Sequence, residues 1–143
     1  MVPARITVVT LGARDHAALR KFYLGLGWEL AVDLDDFCCF EMRGAVLCLF
    51  PYDSLAADGN VDPASVAEGM RGFSIAINVD ERDEVDAVIE GVREAGGRVT
   101  KEPETAEWGG RSAYFADPEE NYWEVAWLPP DSKVNAAIRR ATG

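Results

Sequence analysis

Read from its N-terminus, the chain spells strand, helix, strand, strand, strand and then spells that order again. This duplication restricts the available folds more than any single motif does. The first copy opens on the β-branched run "RITVVTLG" and continues through "HAALRKFYLGLGW", where Leu19, Phe22, Tyr23 and Leu26 recur at helical spacing. Asp15 stands where an N-cap belongs and Gly27 where a helix ends. Three short apolar runs follow, "ELAVDL", "FCCFEMR" and "AVLCLFPY", separated by acidic or glycine breaks that predict an antiparallel meander. The second copy repeats the order with "GFSIAINVD" and then "ERDEVDAVIEGVREAGG", whose Val85, Val88, Ile89 and Val92 share one helix face. It closes with "RVTKEP", "GRSAYFADP" and "NYWEVAWLP".

The expected class is therefore α+β: two βαβββ modules in one chain, forming a cupped, largely antiparallel sheet with a cleft. The modules are expected over residues 4–53 and 72–129, within one domain spanning 1–130. Between them, 54–71 is rich in Ala, Asp, Gly, Pro and Ser with no sustained period, and reads as a linker holding at most a helical turn. The tail over 130–143, "DSKVNAAIRRATG", suits a short helix begun by an Asp or Ser cap. A helix on the back of each sheet leaves the opposite face lined by alternate side chains, and such a concave face is where a small molecule binds.

Charge narrows the partners. With 25 acidic against 14 basic residues the net charge is -11, which repels phosphate backbones and anionic lipid and steers cations inward. Nucleic acid and membrane are accordingly not expected as partners. No apolar run approaches the roughly 18 residues of a membrane span, and the opening residues lack the apolar core of a signal peptide, so a cytoplasmic protein is expected. Cys38, Cys39 and Cys48 make an odd count without metal-type spacing, and neighbours on a strand point to opposite faces. No disulfide framework is expected from them.

With "FYLGLGW" closing the first helix, "EAGG" closing the second and "YFADPEENYWEVAW" at the end, the chain resembles the vicinal oxygen chelate superfamily over roughly residues 5 to 128. That superfamily includes glyoxalase I, bleomycin-resistance proteins, extradiol dioxygenases and fosfomycin-resistance enzymes. The resemblance implies ligand positions near the middle of four strands. They fall on Val8, Cys48, Ser74 and Glu124, and only Glu124 carries the residue type expected of a metal ligand. One histidine, His16, is present, at the start of the first helix and away from the cleft. Two-His, one-carboxylate iron and three-ligand zinc sites cannot be assembled from this set, so no cofactor is expected and a divalent metal is disfavoured.

Glu124 is the candidate catalytic or ligand-anchoring residue. By period two, Trp123, Val125 and Trp127 share one face of the last strand, leaving Glu124 between Tyr122 and Ala126 on the other. Asn78 shares a face with Ser74 and offers an amide to the cleft or to a core hydrogen bond. Trp108, followed by two glycines, suits either a loop that approaches a ligand or a core edge. Arg111 suits a solvated surface residue or an anion site at the rim, and Cys48 a buried apolar filler. Three functions stay open: a metal-independent protein binding a small, cationic or aromatic molecule; an enzyme (lyase, isomerase or dioxygenase-related) using Glu124 as acid/base or metal ligand on an oxygenated substrate; and an interaction module with a vestigial cleft. The resemblance also implies a homodimer.

Overall fold

The computed structural model describes residues 1–63 and 69–143. Two compact units divide the chain, Met1–Val66 and Ala67–Gly143. In the first, β1 (Val8–Ala13) leads into α1 (His16–Gly25), then β2 (Leu30–Asp33), β3 (Cys38–Phe40) and β4 (Val46–Pro51), ending in α2 (Tyr52–Asp58). The strand order is β1-β4-β3-β2. The meander β2-β3-β4 is antiparallel, and β4 then lies parallel beside β1.

Local chemistry accounts for these boundaries. The Asp15 carboxylate accepts from the Ala18 N–H at 3.0 Å, satisfying one of the free donors at the start of α1. Gly27, at φ 86°, releases the chain beyond the helix end. The buried side of α1 presents Leu19, Phe22 and Tyr23, and Tyr23 meets Phe40 edge-on at 5.7 Å and Trp28 stacked at 5.2 Å. Burying each of these side chains contributes about 1.5–3 kcal/mol. The run "FCCFEMR" yields only a three-residue strand, because beyond Phe40 the exposed Glu41 and Arg43 and a glycine turn at Gly44 have no apolar face to offer the core. In the expected linker the helical turn is a seven-residue helix, α2, seated so closely on β1 that a Cβ at Gly12 would lie 3.0 Å from the Tyr52 ring. The remainder of that linker falls partly on residues 64–68, outside the described residues.

The second unit repeats the plan with β5 (Ile75–Asn78), α3 (Glu84–Glu94), β6 (Arg98–Thr105), β7 (Arg111–Ala116) and β8 (Tyr122–Trp127), in the order β5-β8-β7-β6. Again the last strand is parallel to the first and antiparallel to its meander neighbour. Helix α3 buries Val85, Ile89 and Val92, and the sheet beneath it buries Ala113, Phe115, Trp123 and Val125. Phe115 and Trp123 stack with centroids 6.1 Å apart. The tail forms α4 (Lys133–Thr142), its Ser132 hydroxyl accepting from the Asn135 N–H at 3.4 Å.

Candidate functional site

Alternation along β8 sends Trp123 and Val125 under α3 and leaves Glu124, half-buried, on the opposite face. Its strand neighbours are Ala76 on β5 and Tyr114 on β7. The Tyr114 phenol donates to Glu124 Oε2 at 2.7 Å, and among the described residues it is the carboxylate's one hydrogen-bond partner. That bond, then desolvation, then the charge of Glu124 push the phenol up to about 12. The pair is thus a carboxylate held by a phenol that strongly retains its proton.

Around it the same face carries further polar groups. Lys101 pairs with Tyr114 in the β6–β7 register, its ammonium lying 5.9 Å from the centre of the Tyr114 ring and donating to Ser112 Oγ at 3.2 Å. Asn78, one pair along from Ala76, donates its amide weakly to the Ala126 carbonyl at 3.5 Å and stays exposed. Ser74 is exposed and immediately precedes β5. The Tyr122 hydroxyl is turned to the neighbouring turn, donating to Glu120 Oε2 at 2.8 Å.

Two candidates lie elsewhere. Arg111 is on the α3 side of β7: its guanidinium grips both Asp86 carboxylate oxygens at 2.7 Å and the Thr105 hydroxyl at 3.0 Å. This corrects the reading of Arg111 as an anion site at the cleft rim, because a fork already filled by a carboxylate clamps helix to sheet instead. Asp86 in turn is held below the usual carboxylate range by the Arg111 hydrogen bond. Trp108 stands at the tip of the β6–β7 hairpin, 62% exposed, with its ring lying over Gly110, where an added Cβ would come within 1.9 Å of the indole. Along the β7 register the hairpin tip is separated from Tyr114 by Arg111, Ser112 and Ala113.

In the first module, Val8 heads β1, 51% exposed, opposite Val46. Cys48 is buried two pairs further along, facing Thr10 across β1 and Cys39 across β3. His16 lies on the α1 side, 3.9 Å from Cys38 Sγ. No group of three His, Cys, Asp or Glu side chains able to hold a metal occurs among the described residues. Glu124 keeps neutral company in Ala76 and Tyr114, so the donor set around it does not fit a family-type divalent metal.

Tyr114, Lys101 and Ser112 are the members of this polar cluster that the sequence reading missed. Their signal was present in the hairpin arithmetic: with a turn at Asp117–Asn121, Ala116 faces Tyr122, and two steps back Tyr114 faces Glu124.

Comparison with known proteins agrees with this architecture. Residues 5–125 match the Glyoxalase/Bleomycin resistance protein/Dioxygenase superfamily. A glyoxalase-related enzyme from Fulvimarina pelagi is 30% identical, with 89% of this chain and 90% of that chain covered and a TM-score of 0.79. The lactoylglutathione lyase from Agrobacterium tumefaciens is 22% identical over 89% of this chain and 96% of its own, at a TM-score of 0.68. A fosfomycin resistance protein from Mesorhizobium loti is 17% identical, covering 93% and 99%, at 0.67. No curated protein matches. Among the described residues no helix is long and apolar enough to cross a membrane. A family match over residues 5–125, a 30%-identical relative covered over nine-tenths of its length and a doubled βαβββ plan place this chain in the Glyoxalase/Bleomycin resistance protein/Dioxygenase superfamily.

Proposed function

We propose that the chain binds a small organic molecule on the face of its second sheet opposite α3, anchored by Glu124, without a family-type catalytic metal. The observation that carries this reading is the Tyr114–Glu124 hydrogen bond: it fixes one carboxylate oxygen and leaves Oε1 to accept from a ligand. A net charge of -11 favours a ligand bearing a cationic group, and Tyr114 and Tyr122 offer aromatic surface to an organic cation. Thermal shift with a panel of aromatic amines, quaternary ammonium compounds and small hydroxy-carbonyl compounds tests it. A compound that stabilises the native protein should bind the Glu124→Gln variant at least tenfold more weakly, the scale of one lost charge-assisted hydrogen bond. Unchanged affinity in that variant overturns the reading. A tightly bound, stoichiometric transition metal in the purified protein would overturn its metal-free part.

A second reading, an enzyme of lyase or isomerase type acting on a small oxygenated substrate, draws on the same pair. Glu124 would take a proton from carbon or oxygen while Tyr114 orients it as a positioning residue. The lactoylglutathione lyase and the fosfomycin resistance protein share this fold, which supplies the analogy and no residue roles. Turnover of a substrate whose kcat falls at least a hundredfold in Glu124→Gln while KM is unchanged, on the order of the loss of one general acid/base group, would favour it over simple binding.

The chain is further proposed to be a cytoplasmic homodimer. Light scattering on the eluted protein should give twice the 15.6 kDa of one chain, and a species of 15.6 kDa alone excludes the dimer.

A further inference from the structure

We propose that Cys39 and Cys48 form a reversible redox-modification site: an intramolecular disulfide joining β3 to β4 when the protein meets a hydroperoxide. The sequence reading found three cysteines with no disulfide framework, and the structure holds all three as free thiols. Register singles out one pair. Cys39 lies directly opposite Cys48 in the antiparallel β3–β4 ladder, and their sulfurs are 2.6 Å apart. Directly opposed residues in such a ladder have Cα atoms roughly 4.5–5.5 Å apart, inside the disulfide range of about 4.4–6.8 Å. The bond therefore needs no strand movement. Cys38, one residue earlier, points to the α1 side beside His16 and has no thiol across from it, since its ladder partner is Leu49.

The roles of the two sulfurs follow from their surroundings. Cys39 is the more exposed, at 8% against 3%, and receives the oxidant. Burial, reinforced by Cys39, pushes the Cys48 thiol up to about 12, so Cys48 waits as the protonated partner. The peroxide transfers its terminal oxygen to the Cys39 sulfur. Its O–O bond breaks, an alcohol or water leaves, and a sulfenic acid remains. The Cys48 sulfur then displaces the hydroxyl, the S–S bond forms, and the Cys48 proton departs with that hydroxyl as water. Two electrons pass from the two thiols to the peroxide, and a dithiol reductant returns them. The second step needs no loop closure, because β3–β4 pairing already holds the Cys48 thiol against the Cys39 sulfur. The site lies within the first module and does not involve Glu124.

The test treats the whole native protein with hydrogen peroxide, then alkylates it under denaturing conditions. Free thiols should fall from three to one with no oxygen added to the mass, and dithiothreitol should restore all three. Cys38→Ala should keep the cross-link, while Cys39→Ser and Cys48→Ser should each abolish it. Three thiols surviving, a mass gain of oxygen without a cross-link, or a cross-link persisting in Cys39→Ser overturns the proposal. Should a variant fail to fold, the thiol count and peptide map of the unsubstituted protein decide alone.

Discussion

Asp117→Ala should lower the stability of the second module by about 3 kcal/mol and the thermal midpoint by roughly 10 °C. Asp117 is buried, and its side chain organises the turn that delivers β8. Oδ1 accepts the N–H groups of Glu119 and Asn121, each at 2.9 Å, and Oδ2 accepts the Asn121 amide at 2.8 Å. Asn121 is itself buried, so alanine at 117 strands the Asn121 N–H and side-chain amide away from water, at about 1–3 kcal/mol for each. The turn carries strain as well: Glu120 sits at φ 61°, a left-handed conformation that costs a non-glycine residue of order 1 kcal/mol or more. Arg71 holds the same segment from outside, donating to the Glu119 and Glu120 carbonyls and to Asn121 Oδ1, and Arg98 grips the Glu120 carboxylate at 2.7 and 2.9 Å. Asp117→Asn keeps an acceptor at Oδ1 but sets an amide against the Asn121 amide, and should cost about half as much. Circular dichroism melts of the three proteins read this directly. An alanine variant melting within about 2 °C of the parent would mean that the arginine clamps alone hold the turn.

Much of this fold is legible in the sequence because burial sets period. Helices α1 and α3 carry their apolar stripes at helical spacing, and of the eight residues on those stripes Leu19, Phe22, Tyr23, Val85, Ile89 and Val92 are buried, while Leu26 and Val88 are half-buried. The split of β8 into a buried Trp123–Val125 face and an opposite Glu124 face follows from period two alone. Strand ends were less legible. "FCCFEMR" and "GFSIAINVD" each give a shorter strand than their composition suggests, Cys38–Phe40 and Ile75–Asn78, because the flanking Glu41, Arg43, Phe73 and Ser74 are exposed.

Site residues depend on pairing, which composition does not encode. Glu124 stands out as one carboxylate among aromatics, whereas Tyr114 and Lys101 become neighbours of interest only once the β6–β7–β8 register is fixed. Arg111 fails as a cleft residue for the complementary reason. Its odd-numbered place on β7 puts it on the side of Ala113 and Phe115, where Asp86 of α3 meets it. The Cys39–Cys48 pair is likewise invisible to spacing rules, because nine positions separate the two along the chain and none across the ladder.

The Tyr114–Glu124 pair has a signature at high pH. An ordinary tyrosine ionises near about 10, so Tyr114, pushed up to about 12 by its bond to Glu124, should stay protonated while ordinary tyrosines lose their protons. Isotope-labelled tyrosine followed by NMR resolves the four phenols individually, with Tyr114→Phe assigning the resonance. In Glu124→Gln the anionic acceptor is gone, and the two contributions that require its charge go with it. The Tyr114 phenol should then ionise at a distinctly lower pH, its proton affinity falling by tenfold or more. The consequence for stability has a definite sign. The folded phenol holds its proton more tightly than the unfolded one, so this stabilisation is complete below about 10 and is lost as pH rises through about 12. Glu124→Gln should flatten that dependence without altering the melt near neutrality by the amount Asp117→Ala does. If the Tyr114 titration is the same with and without Glu124, the carboxylate is not held by the phenol in solution. The anchor assigned to the Glu124 face of the second sheet would then lose the contact that orients it.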